Sequence, residues 1–116
     1  MKILVCGSRT WDDPYPILRE LNKLPLEATI IHGAANGADS LAGAIARRLG
    51  FNAVVAVPAD WKRYGLGAGP IRNRKMLEMG PDLVLAFSRD IENSKGTRNM
   101  VEQARKAGVE TRVFDV

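Results

Sequence analysis

Ile3-Leu4-Val5-Cys6-Gly7-Ser8-Arg9-Thr10-Trp11-Asp12-Asp13-Pro14 is the stretch on which the fold turns. Its first four residues are apolar without interruption, as in a strand covered on both faces within a parallel sheet. Gly7 breaks the run. Asp12-Asp13-Pro14 then supplies an acidic cap followed by proline, a helix start. The unit is strand, turn, helix. Its helix carries Ile17, Leu18, Leu21 and Leu24 on one stripe and ends at Pro25.

The alternation continues outward. Ala28–His32 reads as a second buried strand, and Gly33-Ala34-Ala35-Asn36-Gly37-Ala38-Asp39 as a turn entering a helix. Ala38, Leu41, Ala42, Ile45 and Leu49 share one helical face, and Gly50 is its C-cap. Ala53–Val57 is a third strand. Pro58 to Gly69 reads as a long loop with Trp61 and Tyr64, and Pro70 opens a helix to about Met79. Asp82–Phe87 is the fourth strand. Thr97 caps a last helix with Met100, Val101, Ala104 and Ala107 on its stripe; Gly108 ends it, and Glu110–Phe114 is the fifth strand.

Strands separated by helices specify an α/β architecture with right-handed crossovers. The expectation is a three-layer Rossmann-like sandwich with a five-stranded, mainly parallel sheet in the order 3-2-1-4-5, forming one domain over residues 1–116. In that order the topological switch lies between strands 1 and 4. Ligands of such sheets bind there, beyond the strand C-termini.

Composition bounds the function classes. With 46% hydrophobic and 26% charged residues among 116, the chain is globular in type, and no apolar run approaches the ~20 residues of a membrane span. Cys6 is the single cysteine, which excludes an internal disulfide and a cysteine-built zinc site. The N-terminal apolar stretch is too short for a secretory leader, so the cytoplasm is the expected compartment. Net charge is 17 − 13 = +4, spread along the chain rather than gathered into a stripe. That favours small anions mildly and makes nucleic acid a less favoured partner.

The segments after strands 1, 2 and 4 depart from mere packing. Gly7-Ser8-Arg9 offers close backbone approach, a hydroxyl and a phosphate-matching guanidinium, although a routine helix-capping turn has the same residues. Gly33 and Gly37 stand at a helix N-terminus, where amides and dipole favour an anion; ordinary turn chemistry is the competing reading. The sequence between them is neither a Walker A loop nor a GxGxxG fingerprint. His32, the single histidine, fits a hydrogen-bonded structural residue better than a catalyst. Asn73 shares a helical face with Met76, Leu77 and Gly80, flanked by Arg72, Arg74 and Lys75. An amide on such a stripe needs partners. If those partners are on a ligand, Asn73 and Arg74 hold its ribose or a second phosphate, and leucine at 73 is tolerated. Trp61 and Tyr64 could stack on a base or anchor their loop. Gly96 and Thr97 bring a further helix start to the edge of strand 4. No metal-ligand spacing occurs; no cofactor is required, and Mg²⁺ enters only through ligand phosphates.

Gly7-Ser8-Arg9 with Trp11-Asp12, His32-Gly33 with Gly37-Ala38-Asp39, Gly69-Pro70-Ile71-Arg72-Asn73 with Met76, and Gly96-Thr97 occur in this order. Together they resemble the YspA-type branch of the SLOG superfamily, the Rossmann-like group that includes LOG and Smf/DprA proteins. The resemblance implies a nucleotide-derived phosphorylated ligand at the glycine-rich turns, bound as a small-molecule partner by a module that need not turn it over. Gly7, Ser8, Arg9, His32, Gly33, Gly37, Asp39, Asn73, Arg74, Gly96 and Thr97 are the candidate binding residues. Homo-oligomers are compatible with it. Two other activities occur in the superfamily: N-glycosidic hydrolysis of nucleoside monophosphates, and single-stranded DNA binding. LOG-type hydrolases are similar around Pro-Gly-Gly-x-Gly-Thr-x-x-Glu, but here Met100 stands in the place of that catalytic glutamate. A hydrolase would have to use Asp39 or Glu102, and Glu102, two positions on, points to another helical face.

Overall fold

Alternate residues of β1 (Lys2–Gly7) bury themselves on opposite sides of one sheet, which sets the layering of the molecule. The computed structural model describes residues 1–116. β1 is the central strand, and the order is β3 (Ala53–Ala56), β2 (Thr29–His32), β1, β4 (Leu83–Phe87), β5 (Glu110–Phe114). Every neighbouring pair is parallel, with Ile3 opposite Ile30 and Leu83 in the register. This is the expected order.

Helices α1 (Pro14–Leu21) and α2 (Ala38–Leu49) cover one face. There Ile17, Leu21, Ala42 and Ala46 pack on Ile3, Val5, Ile30 and Phe87. On the other face α4 (Ala68–Glu78) and α5 (Lys95–Lys106) bring Met76, Met100, Val101 and Ala104 against Leu4, Cys6, Ile31 and Ala86. Each fully buried large side chain contributes about 1.5–3 kcal/mol, so the two apolar layers dominate the stability. The two layers have the strand period of two written into them: odd residues of β1 serve one face and even residues the other.

Local chemistry explains the helix ends. Asp13 caps α1 by accepting the Tyr15 amide at 3.1 Å, with Pro14 in the first turn. Gly50 closes α2 in the left-handed conformation, as its position predicts.

Several boundaries differ from the sequence reading. The supposed loop Pro58–Gly69 is mostly helical: α3 (Trp61–Tyr64), a 3-10 turn at Gly65–Gly67, then α4 from Ala68. Asp60 makes this possible by capping α3 through the Arg63 amide at 3.1 Å. Thr97 is not a cap. It is the buried third residue of α5, which starts at Lys95 after Ser94. Leu18 is exposed because the eight residues of α1 present only Ile17 and Leu21 squarely to the sheet. Ala107 lies beyond the end of α5 and is exposed. β3 is only partly buried, as an edge strand covered less completely than β1. No helix is long and apolar enough to cross a membrane.

Candidate functional site

A crevice of about 930 Å³ opens beyond the C-terminal ends of β1 and β4. It lies at the topological switch point, where parallel α/β sheets leave their strand ends uncovered. One wall is the β1–α1 turn, Gly7 to Trp11; the opposite wall is the β4–α5 segment with Ser94, Lys95, Gly96 and Thr97. Arg72 and Asn73 of α4 form the floor with Met76, and Trp61 and Leu66 stand at the mouth. A smaller cavity of about 340 Å³ adjoins it and shares Arg9, Ala35, Trp61 and Arg72 with it.

The β2–α2 turn already holds an anion of its own. The Asp39 carboxylate, 4% exposed, accepts the Gly33 amide at 3.0 Å and the Ala35 amide at 3.4 Å. Burial pushes its pKa up to about 6, against the pull of Arg72 and the two amides. Gly33 therefore does not offer its N–H to an incoming phosphate. It is glycine for another reason: a β-carbon there would run into both the Arg72 guanidinium and the Asp39 carboxylate. Gly37, at φ 78°, presses against the main chain of Ser8 and Arg9, so no side chain fits there either. Ala34 between them holds a left-handed φ of 57°, a conformation costly for a residue with a β-carbon. His32 lies beneath the turn rather than in the crevice. Its Nδ1 accepts the Ala34 amide at 3.0 Å, and its Nε2 abuts Gly43 of α2. Burial lowers its pKa, with Arg47 and Arg72 adding to the effect, which favours the neutral ring that the accepting Nδ1 requires.

A chain of side-chain hydrogen bonds joins α4 to α5. Arg72 donates through Nη1 to the Gly33 carbonyl and through Nε to Asn73 Oδ1 at 3.0 Å. Asn73 Nδ2 donates to the Gly96 carbonyl at 3.2 Å and to Asn99 Oδ1 at 3.1 Å. Gln103 completes the chain, donating to Asn99 Oδ1 at 2.8 Å and to the Pro70 carbonyl at 3.2 Å. Both amide protons of Asn73 are thus committed within the chain, which leaves one acceptor position on Oδ1.

The electrostatics of the crevice are cationic. Arg9, Arg72, Arg89, Lys95 and Arg98 line it against the acids Asp39, Asp90 and Glu102. Arg89 stacks 4.5 Å from the Trp11 ring centroid and reaches Asp12 at 3.4 Å. The first amides of α5, those of Lys95, Gly96 and Thr97, have no acceptor within their own helix. A Cβ on Gly96 would meet nothing within 4 Å.

Seven of the candidate residues from the sequence meet at this one crevice: Gly7, Ser8, Arg9, Asp39, Asn73, Gly96 and Thr97. Gly33 lines the adjoining cavity. His32, Gly37 and Arg74 line neither. Arg74 is exposed on the far side of α4, and its neighbour Arg72 takes the position facing the site. The sequence reading also turned Glu102 away from the site; it stands at the rim, exposed, 3.9 Å from Arg98. Met100, in the place of the hydrolase glutamate, is fully buried in the core. Sequence reasoning missed Arg89, Lys95 and Arg98. Their signal was proximity to the β4–α5 turn, masked by an overall charge spread along the chain.

Comparison with known proteins agrees with this architecture. Residues 1–64 match the family described as YspA, cpYpsA-related SLOG family. The chain is also 37% identical over 116 residues to the Gene 61 protein of Mycobacterium phage D29, an alignment covering 93% of this chain and 91% of that protein. The order of the Gly7-Ser8-Arg9, His32-Gly33 and Gly37-Ala38-Asp39 motifs points the same way, and the chain belongs to the YspA, cpYpsA-related SLOG family.

Proposed function

We propose that the crevice binds a nucleotide or nucleotide-derived phosphorylated ligand, as a sensing or sequestering module of the cytoplasm. One observation carries the reading: the first residues of α5, whose amides have no helical acceptor, line the same crevice as Ser8, Arg9 and four further cations. Helix-start amides and the macrodipole favour an anion, and guanidinium groups supply charge-assisted donors. Phosphate sits at Lys95, Gly96 and Thr97, with the Ser8 hydroxyl and Arg9 on the opposite wall. Gly33 and Gly37 shape the site without touching phosphate. Any Mg²⁺ arrives with the ligand. The gathering of cations in a concave site, rather than along an exposed stripe, favours a small molecule over single-stranded DNA.

Calorimetric titration with adenosine 5′-monophosphate, ribose 5-phosphate and inorganic phosphate tests this. Binding of the phosphorylated compounds, weakened about tenfold by Arg9→Ala at unchanged melting temperature, is the expected result. No binding by the wild-type protein refutes it.

A buried Asp39 carboxyl with a pKa near 6 favours a second reading, N-glycosidic hydrolysis, because such a group can serve as a general acid. Chromatography of the same mixtures decides between them: free base appearing with protein, and not with Asp39→Asn, establishes the hydrolase.

A further inference from the structure

The two tryptophans of the chain are built for opposite purposes. Trp11 is 2% exposed, packs against Phe87 at 5.7 Å between ring centroids, and donates its indole N–H to the Asp13 carbonyl at 2.6 Å. It is a core residue. Trp61 is 48% exposed and its indole N–H has no acceptor in the chain. One edge rests near Gly69 at the start of α4, which fixes where the ring stands. It lines both the main crevice and the adjoining cavity.

Arg9 lies over this indole, its guanidinium 5.4 Å from the ring centroid. Arg89, the counterpart on Trp11, is also held by Asp12. Arg9 belongs to none of the six ion pairs of the chain and is exposed. A planar cation on an aromatic face in water is bound weakly. A planar heterocycle can take its place, while the arginine remains on the same wall as Ser8.

We infer that the Trp61 indole face is the stacking platform for the base of the ligand, occupied by Arg9 in the free protein. The inference rests on the phosphorylated-ligand reading above and extends it to a ligand bearing a planar base. Arrival of that ligand exchanges one pairing for two: the base replaces the guanidinium on Trp61, and Arg9 turns to the phosphate. Trp61 then selects base-bearing phosphates over bare sugar phosphates, a discrimination the cations alone do not make.

Titration of wild type, Trp61→Ala and Trp61→Phe with adenosine 5′-monophosphate and with ribose 5-phosphate reads this out. Base–aromatic stacking corresponds to roughly 5- to 150-fold in affinity. The lower part of that range, about tenfold, is expected, because stacking also displaces Arg9. Trp61→Ala should bring adenosine monophosphate down to the affinity of ribose 5-phosphate, leave ribose 5-phosphate unchanged, and keep the wild-type melting temperature. Trp61→Phe should retain most of the preference. The nucleotide should also quench the tryptophan fluorescence of wild type but not of Trp61→Phe, where Trp11 alone emits. Both compounds binding wild type and Trp61→Ala with the same ratio of affinities overturns the platform and leaves the phosphate site standing. Neither compound binding wild type overturns both.

Discussion

Arg72 donates to the main-chain carbonyl of Gly33, crossing the strand ends from α4 to the β2–α2 turn, in the space that any side chain at 33 would need. Gly33→Ala should therefore destabilise the protein by about 1–3 kcal/mol through enforced overpacking, measured by urea unfolding. Arg74→Ala, two positions from Arg72 but exposed outside the crevice, should change stability and phosphate binding by less than about 0.5 kcal/mol. Equal losses in both variants would mean that the guanidinium at Gly33 is not what the glycine accommodates.

Asn73, 3% exposed, is the next test of the same bridge. Leucine fits the apolar neighbours Met76 and Leu77 by sequence alone, but it takes the second donor from the Gly96 carbonyl, a donor from Asn99 Oδ1 and the acceptor from Arg72 Nε. Asn73→Leu should lower thermal stability by an amount equivalent to about 2–4 kcal/mol. Retention of wild-type stability would show that these hydrogen bonds contribute nothing net.

Gly96 separates fold from binding more cleanly. A β-carbon there projects into open space at the crevice wall, and glycine is a poor helix residue. Gly96→Val should leave stability within about 1 kcal/mol of wild type while abolishing phosphate binding, seen as loss of the melting-temperature rise that phosphate gives wild type. Thr97→Ala should lose packing rather than a cap, since Thr97 is a buried third residue of α5.

Asp39 gives stability a pH dependence of definite sign. Its pKa rises from 3.8 to about 6 on folding, so the native state holds the proton more tightly than the unfolded chain. Stability conferred by the neutral form is complete below about pH 4 and is lost as pH rises through about 6, with a ceiling of about 3 kcal/mol. Asn keeps an oxygen for the Gly33 amide and cannot titrate. Urea unfolding between pH 4 and 7 should show this downward contribution in wild type and not in Asp39→Asn. Identical pH profiles would remove Asp39 as the source.

The sheet was legible because uninterrupted apolar runs such as Ile3–Cys6 and Leu83–Phe87 have few other uses in a chain of this size. The location of the crevice followed from strand order. The identity of its cations did not. Asn73 marks the buried side of α4, and Arg72 and Arg74 lie 100° to either side of it, so helical periodicity treats them alike. Packing against the β2–α2 turn breaks the tie for Arg72. Thr97 reads as the cap of the last helix, but α5 starts at Lys95 with Ser94 in the flanking position, which puts Thr97 inside the first turn. The amide of Gly33 looked available because Asp39 lies several residues further along, on the first turn of α2, and only the folded turn brings it back to that amide.

The hydrogen-bonded run from Gly33 through Arg72, Asn73, Asn99 and Gln103 to Pro70 makes a stiff plate of α4, α5 and the β2–α2 turn. The mouth of the crevice, Trp61 to Gly67, takes no part in that run: there Leu66 is 97% exposed and Gly65 takes a φ of 55°. On the phosphorylated-ligand reading, entry and retention then fall to different parts of the site: a ligand passes Trp61 to Gly67 on its way in, and is held against a plate whose side chains are already paired in place.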